Sequence, residues 1–388
     1  MTGAGRSFTR AAIPAVERRT GETLAALLSR LAESAGEALA GAALGGALGR
    51  GEAPTSVDAE GAFAPDAPFE LLVVLAGTPG RAAAASSRLD REVSATARGR
   101  RVRTRVETVS ASALDRLSPT IEAIETAAAN RVVAGPEGLL APLAPLADAR
   151  PSAFEALRLL VRSGAALHAA ERALSRRGAG RPAILAAQGA VRDVDLALGT
   201  ALLVSAGRFR PTDEARAQEL RLLAAPSDDG RAASGFHVGM TRTRFRDVVD
   251  RHREAFSGLA RVELPGSLVD ARTQAARATD RFLEVLRLHE EERLGRPLPS
   301  WTDYLRVLSA RRGASAAPGL FGARDGDDLP SRRAVREWPA AERLAPALAT
   351  LLDWDPGDLP IARLLLDLPD EAPPESLAAR LATLASAA

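Results

Sequence analysis

The chain has no cysteine, no lysine and a single tyrosine among its 388 residues. Without cysteine there is no disulfide, no thiolate nucleophile and no Cys-ligated zinc or iron–sulfur centre. Without lysine there is no standard P-loop, no Schiff-base enzyme and no Ser-x-x-Lys hydrolase. The four histidines, His168, His237, His252 and His289, lie far apart and form no H-E-x-x-H. They read as ordinary core or surface residues. No G-x-S-x-G elbow occurs. Aromatic residues make up only 4% of the chain, so the core has to be built from Ala, Leu and Val. No charge-free apolar run reaches membrane-spanning length, and no apolar stretch of signal-peptide type follows the N-terminal charges. The expectation is a cytoplasmic protein with no membrane partner.

All 51 side chains in the Lys+Arg count are arginine. With the excess of alanine this points to GC-rich coding, and it weakens arginine counts as evidence of function. The isoelectric point of 10.0 has the same origin. Net charge is only +2. Almost nothing titrates between histidine and arginine, so a small positive excess persists to high pH. Nucleic acid is therefore not an expected partner. The densest basic run, "ARGRRVRTRVE" from Ala97 to Glu107, carries no aromatic residue on which a base could stack. It reads as a charged strand edge that resists pairing.

Residues from about Ser7 to Ala40 have helical spacing. "GAALGGALGRGEAPTSVDAEGAFAPDAP" then holds no sustained period. "FELLVVLAG" predicts a buried strand, "RAAAASSRLDREVSATARG" a helix, and "RRVRTRVETVS" an alternating second strand. "APLAPLADARP", ending at Pro151, reads as a linker. Beyond it, "SAFEALRLLVRSGAALHAAERALSRRG", "PAILAAQGAVRDVDLALGTALLVSAGRF" and "ATDRFLEVLRLHEEERLG" carry apolar stripes of helical period. "LHEEERLG", from Leu288, reads as a solvated helix face with a Glu290–Arg293 pair. Residues 313–331 are rich in Gly, Pro and Asp and read as a mobile loop. Trp301, Tyr304, Trp338 and Trp354 concentrate the large aromatics in the last third, where core packing is their expected role. The predicted class is α+β, with a mixed α/β sheet domain over residues 1–145 and a helical domain over 151–388.

A glycine pair at the end of an element lets backbone N–H groups approach a phosphate. Two carboxylates two residues apart on a strand share one face and can hold a hard divalent ion. Metal ions so held activate a hydroxyl and neutralise a leaving pyrophosphate. The chain reads Gly45-Gly46-Ala47-Leu48-Gly49-Arg50-Gly51-Glu52, then Pro68-Phe69-Glu70-Leu71-Leu72-Val73-Val74. "VETVSASALDRLSPTIEAIETAAANRVVAGPEGLL" and "VDLALGTALLVSAGRFRP" follow. Together these parts resemble the DNA polymerase β-like nucleotidyltransferase superfamily over most of residues 35–225. That family runs from a glycine pair through a short helix to S-D-x-D-L-L-V-V and a third carboxylate on a neighbouring strand.

The resemblance implies an α/β nucleotidyltransferase-like domain acting on an NTP and a hydroxyl acceptor, with a helical domain setting the acceptor. Mg²⁺ would sit on Glu70 and Glu107, with Asp66 as a substitute ligand, and Gly45, Gly46 and Arg50 would hold the triphosphate. The departure is at Pro68, which stands where the first carboxylate belongs and offers no ligand. Arg103 and Arg105 share the strand face of Glu107 and bring positive charge to the metal position. The implied outcome is a degenerate member in which transfer is degraded or lost. The alternative is a helical interaction or regulatory protein with no nucleotide chemistry.

Overall fold

A computed structural model describes residues 7–57, 61–225, 240–264, 266–311, 335–353, 359–369 and 371–387. The predicted loop at 313–331, and with it His237 and Trp354, lies outside these residues. The architecture is α+β, as the residue pattern predicts. The chain divides into two compact units. The first comprises Met1–Ser152, Phe209–Glu219 and Arg253–Leu264; the second comprises Ala153–Arg208, Leu220–His252 and Pro265–Ala388. The first break falls beside the predicted linker. Two later segments of the mainly helical half return to the first unit.

In the first unit, α1 (Pro14–Ala35) leads into β1 (Leu39–Leu44), α2 (Gly46–Arg50), β2 (Thr55–Val57), β3 (Phe63–Pro65) and β4 (Phe69–Leu75). There follow α3 (Pro79–Gly99), β5 (Thr104–Ser110), α4 (Ile121–Ala129) and β6 (Arg131–Ala134). Four strands form a mixed sheet in the order β5-β4-β1-β6. β1 is antiparallel to β4, and β4 is parallel to β5. β5 is thus an edge strand, with Arg103 just before it and Arg105 within it both exposed.

The N-terminal helix ends earlier than its periodicity predicts. Leu39-Ala40-Gly41-Ala42-Ala43-Leu44 is a strand, although Ala and Gly have little intrinsic preference for one. Tertiary packing decides it. A Cβ on Gly41 would meet Ala134 O at 2.6 Å and the Leu139 side chain at 2.7 Å, so only glycine admits this approach. The sequence between this strand and β4, which carries no period, also yields β2 and β3. These pair with the two-residue β7 (Val262–Glu263) in a second sheet, ordered β3-β2-β7.

The period of two in β4 separates the faces of the main sheet. Phe69, Leu71, Val73 and Leu75 pack with Leu27 and Leu31 of α1 and Leu89 and Val93 of α3. Leu72 and Val74 pack on the other face with Leu114, Leu139 and Leu143. Glu70 belongs to this second face and stands at its uncovered end.

The second unit contains α5 (Ala153–Ser175) and α6 (Arg181–Ser205). Next come the end of α7 (Asp213–Ala224) and most of α8 (Arg242–Gly258), then α9 (Leu268–Leu294), α10 (Trp301–Arg311) and α11 (Ala340–Asp353). Helices α5, α6 and α9 pack against one another. Ser267 and Asp270 form a reciprocal N-cap on α9, with Asp270 N–H donating to Ser267 Oγ at 3.0 Å.

The Leu288–Gly295 segment is not a solvated face. The Glu290–Arg293 pair forms at 2.6 Å, but Glu290 is fully buried and Arg293 also binds Glu342 of α11 at 2.8 Å. A second carboxylate and the buried Tyr304 cover what local spacing alone would leave wet. Tyr304 and Trp338 are core residues, as expected of the scarce aromatics.

Candidate functional site

The glycine pair joins β1 to α2, and the chain brings Glu70 to it. Gly45 N–H donates to the Glu70 carbonyl oxygen at 2.8 Å. Gly46 has φ of +57°, and a Cβ there would lie 2.7 Å from Glu70 Cδ. A left-handed glycine therefore lets the Glu70 carboxylate rest against backbone. The sequence-predicted association of Gly45, Gly46 and Glu70 is present as geometry. Helix α2 is only five residues long, so it offers little dipole to an anion.

Beside this contact is a pocket of about 270 Å³. Glu70, Arg105 and Glu107 line its strand side, and Ser118, Thr120, Glu122 and Thr126 line the side nearer α4. Glu70 stands opposite Arg105 in the parallel register, and Glu107 opposite Leu72. The Arg105 guanidinium reaches Glu122 at 3.8 Å. Burial raises the Glu70 pKa above the usual carboxylate range. Glu125 raises it further, and Arg105 and Arg50 oppose the rise. Glu107 is exposed at the edge of the sheet.

Arg50 is held elsewhere. Its guanidinium binds Glu52 at 2.7 Å, Glu125 at 2.5 Å and Asp213 at 3.4 Å. Burial disfavours its charge, but the three carboxylates outweigh that and raise its pKa. Arg216 completes the network, binding Asp213 at 2.8 Å and Glu125. Glu52 also accepts the backbone N–H groups of Asp213 and Glu214, each at 3.2 Å, and so caps the start of α7. Burial first, and Asp213 second, raise the Glu52 pKa. Each guanidinium nitrogen of Arg50 donates to a carboxylate, and Arg50 is not among the residues lining the Glu70 pocket.

Asp66 is not brought to Glu70. It lines a different pocket with Arg19, Arg101 and Arg103, and it pairs with Arg103 at 3.1 Å. Pro68 lies just before β4, where the following Phe69 N–H donates to Arg103 O at 2.9 Å. Among the described residues, no group of three or more His, Asp or Glu side chains is placed to share a metal ion. No described helix is long and apolar enough to cross a membrane.

Sequence reasoning missed Glu52, Glu125, Asp213 and Arg216. They span more than 160 positions of the chain, and no local pattern ties them together. Glu122 and Thr126 were missed as well, although their spacing of four puts them on one face of α4. Comparison of the chain with protein-family models and with curated proteins finds no match.

Proposed function

We propose that the first unit is a nucleotidyltransferase-like domain whose metal-dependent nucleotidyl transfer has been lost. The observation that carries this reading is the pairing of a kept scaffold with diverted charges. The glycine pair, the short helix, the strand bearing Glu70 and the neighbouring strand bearing Glu107 follow one another in the order the resemblance implies, and Gly45, Glu70 and Glu107 line one pocket. The groups that would work on a metal–triphosphate have other partners. Arg50 is neutralised by three carboxylates and Asp66 by Arg103.

The residues present do not fit Mg²⁺. That ion needs near-octahedral oxygen ligation with at least one or two well-placed carboxylates. Here Pro68 offers none and Asp66 faces another pocket. Glu107 and Glu122, which line the pocket with Glu70, share their space with the Arg105 guanidinium, and Glu125 is taken by Arg50 and Arg216. No transfer step is therefore assigned to these residues. A phosphate would also meet an acidic wall, since Glu70, Glu107 and Glu122 outnumber Arg105.

The test is pyrophosphate release from each of the four NTPs, with Mg²⁺ or Mn²⁺ and a panel of hydroxyl acceptors. The reading expects no release above buffer. Metal-dependent release that disappears in Glu70→Gln overturns it.

A further inference from the structure

The pocket has an unbalanced charge. Three carboxylates, Glu70, Glu107 and Glu122, face one guanidinium, Arg105. Arg105 leans to Glu122 at 3.8 Å. The carboxylates of Glu70 and Glu107 have no ion pair or hydrogen bond among the described residues. Glu70 is the more exacting of the two, because its half-buried carboxylate rests against the Gly46 backbone, where burial already disfavours its charge. A carboxylate in that position is costly without a counter-charge.

The remaining wall decides which counter-charge fits. Leu72, Leu117 and Leu143 supply hydrocarbon. A bare hard cation gains nothing from them and lacks a third ligand. An alkylammonium uses both surfaces. Its head carries three donors for carboxylates and hydroxyls, and its chain takes the leucine wall out of water. A cavity of about 150 Å³ holds benzene, so 270 Å³ has room for an amine of several carbons.

We propose that this pocket binds a small aliphatic amine in its protonated form, with Glu70 as its counter-ion and Glu107 drawing it in at the mouth. The inference rests on the reading above, that the site no longer takes a metal–nucleotide.

The experiment is ligand-observed NMR titration of the full chain with butylammonium. Butanol serves as the uncharged match, and ATP with Mg²⁺ is run in parallel. Saturable butylammonium binding is expected, with butanol at least about tenfold weaker, as for loss of a charged hydrogen bond. Glu70→Gln should weaken butylammonium by at least about tenfold. Glu107→Gln, at an exposed position where folding is not at risk, should weaken it less. Absence of saturable butylammonium binding, or binding unchanged in both variants, overturns the inference and leaves the functional reading standing. Metal-dependent ATP binding lost in Glu70→Gln overturns both.

Discussion

Arg50 and Asp213 are 163 positions apart in the chain and 3.4 Å apart in space. Glu52, two residues from Arg50, caps the helix that Asp213 begins. This network fastens the Phe209–Glu219 segment into the first unit, and it does so with the arginine that the resemblance to nucleotidyltransferases would assign to a phosphate.

Removing that arginine leaves Glu52, Glu125 and Asp213 facing one another, with Arg216 still bound to Asp213 and Glu125. Breaking a buried ion pair by deleting one partner costs about 3–5 kcal/mol. Arg50→Met should lose stability of that order in urea unfolding. A loss below about 1 kcal/mol would match a surface pair instead and contradict a structural role for Arg50.

Gly46 holds a left-handed backbone against the Glu70 carboxylate. An alanine there pays roughly 1–2 kcal/mol for the conformation alone. The Glu70 side chain can swing away from the new methyl group, so the strained φ accounts for most of the loss. Gly46→Ala should unfold at lower denaturant by that amount, whereas the exposed Gly80→Ala should not. Equal stability of Gly46→Ala and the parent would show that the turn does not hold this conformation.

His168 is buried in α5, and its Nε2 has no hydrogen-bond partner. Burial first, and the nearby Arg172 second, lower its pKa from 6.5 to about 4. Between those values the unfolded chain takes up the proton and the folded chain does not. Stability is therefore fully present above about pH 6.5 and falls as the pH drops toward 4, by up to about 3 kcal/mol. His168→Gln should flatten that part of the profile in thermal unfolding between pH 7 and pH 4. A slope unchanged in the variant would assign the acid sensitivity to other groups.

Under the proposed reading, Pro68 stands where the family carries the carboxylate that would partner Glu70. Pro68→Asp places an acid two residues before Glu70, on the same face if β4 extends by one residue. The variant should gain weak Mn²⁺ binding that the parent lacks, read by calorimetry. A folded Pro68→Asp with no gain would mean that positions 68 and 70 do not share a face, and it would count against the alignment with the family.

The elements with strong periods were legible in the sequence. Phe69–Leu75 is a run of β-branched and large apolar residues between turn signals, and α5, α6 and α9 carry apolar stripes long enough to identify as helices. β1 was not legible, because Ala and Gly carry no strand signal and only the fit of Gly41 under Ala134 and Leu139 makes it one. At the site, the meeting of Gly46 with Glu70 follows from the order of elements. The partners of Arg50 do not, since Glu125 and Asp213 come from distant helices. The burial of Glu290 escaped for the same reason, because its cover includes Glu342, 52 positions away.

The most direct test of the central claim is calorimetric titration of ATP, GTP, CTP and UTP into the purified protein, with and without Mg²⁺ or Mn²⁺. The account predicts no metal-dependent binding of any of the four, in the parent or in Glu70→Ala. Metal-dependent binding in the parent that vanishes in Glu70→Ala would contradict it and establish a working nucleotide site.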